Sequence, residues 1–180
     1  MNNHHSKVLW ITRTGVLTAL LIALQWATGF LGNQLITGSC VNAVLAVAAM
    51  FAGLWSGAAV AILSPFFAFL LNVGPKLIQV IPFIALGNLV YVLCLSLLLG
   101  KGNQSVLIRA VALVAAAAGK LAVLYFGVVK LLIPLMGERV PPKQAAALSA
   151  MFSWPQLVTA LIGGTIALLI VPVLKKAIKR

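Results

Sequence analysis

Residues 106–133 read VLIRAVALVAAAAGKLAVLYFGVVKLLI, an apolar run of 28 residues that holds two lysines, Lys120 and Lys130, and no acid. As a helix rising 1.5 Å per residue it is about 42 Å long, enough to cross a bilayer with tilt to spare. Arg109, Ala112, Ala116, Lys120, Val123, Gly127 and Lys130 recur at spacings of three and four. At 100° per residue they fall on one stripe about 80° wide, opposite a face of Leu, Val, Phe and Tyr. A lysine turned to lipid near mid-bilayer costs at least ~2.5–3.5 kcal/mol, so the stripe is expected to face protein or a water-filled cavity. Snorkelling is the alternative; it suits Lys130, near an end, and suits Lys120, near the middle, poorly.

Composition carries this beyond one helix. Of 180 residues, 63% are hydrophobic and 8% charged, with a mean hydropathy of +1.15. A soluble domain carries roughly 25% charged residues, so the chain is expected to be an all-α integral membrane protein forming one domain over residues 1–180. The net charge of +12, with Glu138 the single acid, would suggest nucleic acid in a soluble protein. Here the cations sit mostly at segment ends, where they set topology, and no nucleic-acid partner is expected. Cys40 and Cys94 stand apart in apolar runs and are read as buried free thiols. His4 and His5 are read as a solvated tail, two ligands alone being a poor metal cage. Lys7 and Arg13 precede an apolar run too long for a signal peptide, which is taken as a retained first helix.

Six transmembrane helices in one bundle are expected, at about 8–31, 40–55, 58–72, 78–99, 106–133 and 144–174. Ser56-Gly57 is the expected turn between the second and third, and the short hairpin these two form is alternatively re-entrant. Pro65 should kink the third helix, while Pro82 falls in the first turn of the fourth, where a missing N–H does least harm. Both termini then share a side with Lys7, Arg13, Lys101, Arg109 and the basic tail of Lys175, Lys176, Lys179 and Arg180. Lys76, Arg139 and Lys143 lie on the other side, offset by Glu138. The positive-inside rule places both termini in the cytoplasm.

Counting inward from the outer ends brings polar groups to a common depth. Asn88 lies about 15 Å into the fourth helix at the helical rise, Gln156 similarly deep in the last, and Lys120 slightly deeper in the fifth. Above them stand Ser149, Ser153, Trp154, Lys130, Gln25 and Trp26, with Asn42 and Asn72 near outer helix ends. Ser149, Ser153 and Gln156 share a face that Ala160 and Gly163 continue inward. That pattern predicts an outward-facing pocket above a packed floor. Pro155 frees a carbonyl one turn earlier for a ligand or water. Taken singly, Asn88, Gln156 and the serines also suit interhelical hydrogen bonds, Trp26 and Trp154 an interface belt, and Tyr91 a packed ring with a satisfied hydroxyl.

No HExxH, paired intramembrane acids, GxSxG with a partner His, or Walker motif is present. An enzyme is not expected, nor a self-powered transporter, since the usual coupling carboxylates are missing. No metal or other cofactor is implied. A small channel or a structural subunit of a larger membrane complex remains the alternative.

Helix one carries Arg13 followed by Ala19-Leu20-Leu21-Ile22-Ala23, helix three a Ser64-Pro65 pair, and helix four Pro82-Phe83-Ile84-Ala85-Leu86-Gly87-Asn88. Together with the length and six apolar segments, these resemble the substrate-binding S component of energy-coupling factor (ECF) vitamin transporters over the whole chain. The resemblance implies a multi-pass subunit of the bacterial plasma membrane. Its partners would be a transmembrane coupling subunit and two ATP-binding cassette ATPases, which hydrolyse the ATP. It implies gating loops at 31–39 and 73–79, including Asn33, Gln34, Lys76 and Gln79, and docking of the coupling subunit at Ala19 and Ala23. Helices four to six would supply pocket walls. Within that frame Lys120 and Lys130 are expected to attract an anionic micronutrient, a carboxylate such as pantothenate, nicotinate or lipoate. Asn88, Ser153 and Gln156 would orient it, with Ser149, Trp154, Tyr91, Asn72 and Gln25 completing the site.

Overall fold

Each apolar run closes into helix because a backbone in hydrocarbon must satisfy its own N–H and C=O groups. The computed structural model describes residues 3–100 and 104–178, with side chains described from Lys7 to Ala177. The expectations placed on the His4 and His5 side chains, Lys101, Lys179 and Arg180 lie outside them. The protein is an all-helical integral membrane protein, 89% helix, with no strand among the described residues. The elements run α1 (Asn3–Gly29), α2 (Gln34–Val47), α3 (Leu54–Leu70), α4 (Ile81–Leu99), α5 (Val106–Leu124), α6 (Ile133–Met136), α7 (Pro142–Met151) and α8 (Trp154–Ile178). Five helical stretches among the described residues are long and apolar enough to cross a membrane; α3, also apolar, is shorter at 17 residues.

Two helices are extended by π turns, Ala48–Ala52 after α2 and Tyr125–Leu132 between α5 and α6. The turn into α3 falls at Gly53, whose φ of 91° suits a residue without Cβ. Ser56 and Gly57, expected as that turn, lie inside α3 and are buried. The last apolar span is broken in two, α7 stopping at Met151 and α8 restarting at Trp154, so that Pro155 sits in a first turn and not in a helix interior.

The tightest seam joins α2 to α8. A Cβ on Gly163 would lie 2.5 Å from the Ala43 amide nitrogen and 2.6 Å from the Ser39 carbonyl oxygen, so the two backbones touch only because that side chain is absent. Around this seam a main core gathers Leu21, Leu45, Val60, Tyr91, Leu95, Leu113 and Ala160. A second, smaller core of Val80, Leu124, Val128, Val140, Leu148 and Phe152 forms where α4, the π turn after α5, and α7 meet. Chain direction puts the 30–33, 71–77 and 137–141 connections at the end of the bundle opposite the termini, and that is where the helices part.

Candidate functional site

Between α1, α2, α3, α4, α5 and the α7–α8 break lies a cavity of about 440 Å³, within the usual range for small-molecule sites. Its deepest charged group is Lys120, only 3% exposed. The Lys120 ammonium donates to Asn42 Oδ1 at 2.6 Å and to Asn88 Oδ1 at 2.7 Å. It also stands 5.7 Å from the centroid of the Tyr91 ring. These contacts explain how a lysine is held inside a membrane helix without an acid: two carbonyl dipoles and an aromatic face replace its hydration.

The two asparagines are fixed from behind. Asn42 Nδ2 donates to Thr159 Oγ1 at 3.2 Å, and Thr159 Oγ1 donates to the Gln156 carbonyl, also at 3.2 Å. Tyr91 closes the floor, its hydroxyl donating to the Ala160 carbonyl at 2.8 Å. Because both asparagines turn their oxygens to Lys120, their amide N–H groups point elsewhere. That of Asn42 is used by Thr159, and that of Asn88 has no partner among the described residues. An ammonium has three N–H donors and Lys120 uses two on this pair. The floor therefore offers hydrogen-bond donors and positive charge. Glu138, the chain's one acid, is exposed in the connection before α7 and does not line the cavity.

Higher up, the walls are mixed. Trp26, Phe30, Phe152, Leu71 and Ile84 supply apolar surface, while Asn33, Gln34, Asn72 and Gln156 supply amides. Trp26 packs edge-on against Phe30, ring centroids 4.9 Å apart. Gln25, 7% exposed, lines the α1 wall, and its Oε1 is enclosed without a hydrogen-bond partner. Gln34 Nε2 and Gln156 Nε2 both donate to the Met151 carbonyl, at 2.7 and 3.1 Å.

Of the residues singled out in the sequence, the structure brings Lys120, Asn88, Gln156, Gln25, Asn72, Asn33 and Gln34 to this one cavity. Tyr91 lies beneath it. Lys130, Ser149, Ser153, Trp154, Lys76 and Gln79 do not line it. Lys130 is exposed beside the Tyr125 ring, its Nζ 5.5 Å from the centroid. Trp154 is 63% exposed, and Ser153 Oγ donates to the Ala150 carbonyl at 2.9 Å. Lys76 and Gln79 are exposed, whereas the neighbouring Gly74 and Pro75 do reach the cavity. Asn42 is expected near the outer end of its helix but not in the site, and Thr159 is not singled out in the sequence, whereas the Met151 carbonyl is the one that Pro155 is expected to free. The Ser39–Asn42 spacing of three in an apolar helix was the available signal for the first. Among the described residues no group of His, Cys, Asp or Glu could hold a metal ion. Ala19 and Ala23 lie exposed on α1, with Gly15 and Ala27 continuing the line at steps of four.

A family model described as "ECF transporter, substrate-specific component" matches residues 10–175. No curated protein and no solved structure matches the chain.

Proposed function

This chain belongs to the family of ECF transporter substrate-specific components, and from that premise we propose that its cavity captures a small carboxylate from outside a bacterial cell. Membership makes it a multi-pass membrane subunit that binds a small molecule, is not an enzyme, and associates with the membrane and ATPase subunits of an ECF transporter. The finer reading places it in the plasma membrane with one coupling subunit and two ATP-binding cassette ATPases, which supply the ATP hydrolysis. It makes the cargo a carboxylated micronutrient of the pantothenate, nicotinate or lipoate kind.

The observation that carries the anion is the donor-rich floor. Lys120 is held by two amide oxygens, which leave its charge unneutralised, and the adjacent Asn88 amide supplies a further N–H. A carboxylate set there gains charge-assisted hydrogen bonds in a water-poor site. The aromatic and aliphatic walls suit the rest of such a molecule. Mass spectrometry of the small molecule released from purified protein tests this directly. A carboxylic acid is the expected result; a neutral or cationic compound would overturn the reading.

The exposed line of Gly15, Ala19, Ala23 and Ala27 supports docking of the coupling subunit along α1, since small residues let two helix backbones approach closely. Ala19→Glu or Ala23→Glu should abolish uptake by the assembled transporter while ligand binding to the isolated chain stays unchanged. Normal uptake by both variants would remove the docking claim.

A further inference from the structure

The Met151 carbonyl is an acceptor that Pro155 makes available. In a continuous helix it would receive the N–H of residue 155, and proline has none. The helix instead breaks at Phe152–Ser153, and two side chains take the vacant acceptor. One is Gln156, from the new helix. The other is Gln34, 117 positions away in sequence at the first residue of α2, and it makes the shorter bond of the two, 2.7 Å against 3.1 Å. Gln34, Met151 and Gln156 all line the cavity. The Gln34 bond thus ties the start of α2, directly after the 30–33 connection, to the helix break across one wall.

We infer that Pro155 is a positioning residue: by withholding its N–H it creates the anchor that holds Gln34 and the start of α2 closed against the cavity. Gln156 gives the anchor a second donor. When Gln34 lets go, the carbonyl remains bonded, so release of the wall leaves no orphaned acceptor behind. The contact between the first turn of α2 and the helix break can therefore open without leaving the Met151 carbonyl unpaired, while the α2–α8 seam at Gly163 stays packed. This rests on the cavity being the capture site, but its test needs no substrate.

The experiment is amide hydrogen–deuterium exchange on the full chain in lipid nanodiscs, comparing wild type with Gln34→Leu, Pro155→Ala and the double variant. Each single change should speed exchange at residues 37–41 about fivefold, the effect of losing one hydrogen bond. The double variant should be no faster than the faster single, because both act on one bond. A merely structural proline would instead raise exchange around 150–158 and leave 37–41 protected, which overturns the inference. Multiplying effects in the double variant overturn it as well. Should Gln34→Leu fail to insert, Gln34→Asn keeps the amide but shortens its reach and must give the same local increase. Release of a neutral molecule in the mass-spectrometric test would sink the carboxylate reading and leave this exchange result standing.

Discussion

Lys120 and Lys130 lie ten residues apart on one continuous helical rod, and the structure gives them opposite surroundings. Lys120 belongs to the α-helical part, where Ala112, Ala116, Lys120 and Leu124 form the buried seam at steps of four. Lys130 belongs to the π-helical part, where Val128 is the buried residue. A step of four overshoots one α-helical turn by roughly 40°, so the seam winds around α5 as it rises. From Tyr125 the i→i+5 bonding lowers the advance per residue and keeps Val128 facing inward. Lys130, two positions further, is then carried to the far side. The lesson is that one charge type in one apolar run is sorted by the helical register beneath it.

Removing the amine is the strongest way to test the inner half. Lys120→Met keeps the length of the side chain and deletes its charge and all three donors. A hydrogen bond to a charged group is worth about 1.5–3 kcal/mol, so the affinity for the released acid should fall about ten- to a hundredfold in isothermal titration. Binding within twofold of wild type would mean that Lys120 serves only to join α2, α4 and α5, and neither lysine would then hold the ligand.

This sorting marks what was and was not legible in the sequence. Six apolar segments, a pocket toward the end of the bundle opposite the termini and the meeting of Asn88, Lys120 and Gln156 all followed from hydropathy and from counting residues at the helical rise. Such arguments need only the depth along a helix. The rotational position was harder. Grouping Lys130 with Lys120 assumed 100° per residue throughout, and no residue in 125–132 announces a π turn. Ser149 and Ser153 were joined to Gln156 on one face by assuming that helix six was continuous. The break at Phe152–Ser153 gives the two halves separate registers, and Ser153 turns back to Ala150. Pro155 did signal the freed carbonyl. Its second user, Gln34, was out of reach of local reasoning because the contact spans 117 positions.

The π-helical half can be probed through its one inward residue. Val128 packs with Val80, Leu124, Val140, Leu148 and Phe152, the small core that supports the cavity's α7 side. Val128→Ala deletes buried methyl groups, and a loss of about 1–2 kcal/mol is expected in unfolding experiments in detergent. Binding should weaken only as far as Phe152, which that core also holds, loses its place against the cavity. An unchanged unfolding midpoint would show that Val128 does not hold the register that turns Lys130 outward.

The smallest expected effect belongs to Lys130 itself. Its side chain is exposed, its ammonium lies beside the Tyr125 ring, and it does not line the cavity. Interaction between an exposed cation and a bound anion is screened over about 8 Å at physiological ionic strength. Lys130→Ala should therefore change the equilibrium affinity by less than about twofold at that salt. Whatever it does contribute is steering, so a slower association rate that vanishes as salt is raised is the signature to look for. A loss comparable to that of Lys120→Met, and insensitive to salt, would require the bound molecule to reach out of the cavity to the exposed side of the π turn. The contrast between the two lysines would then collapse.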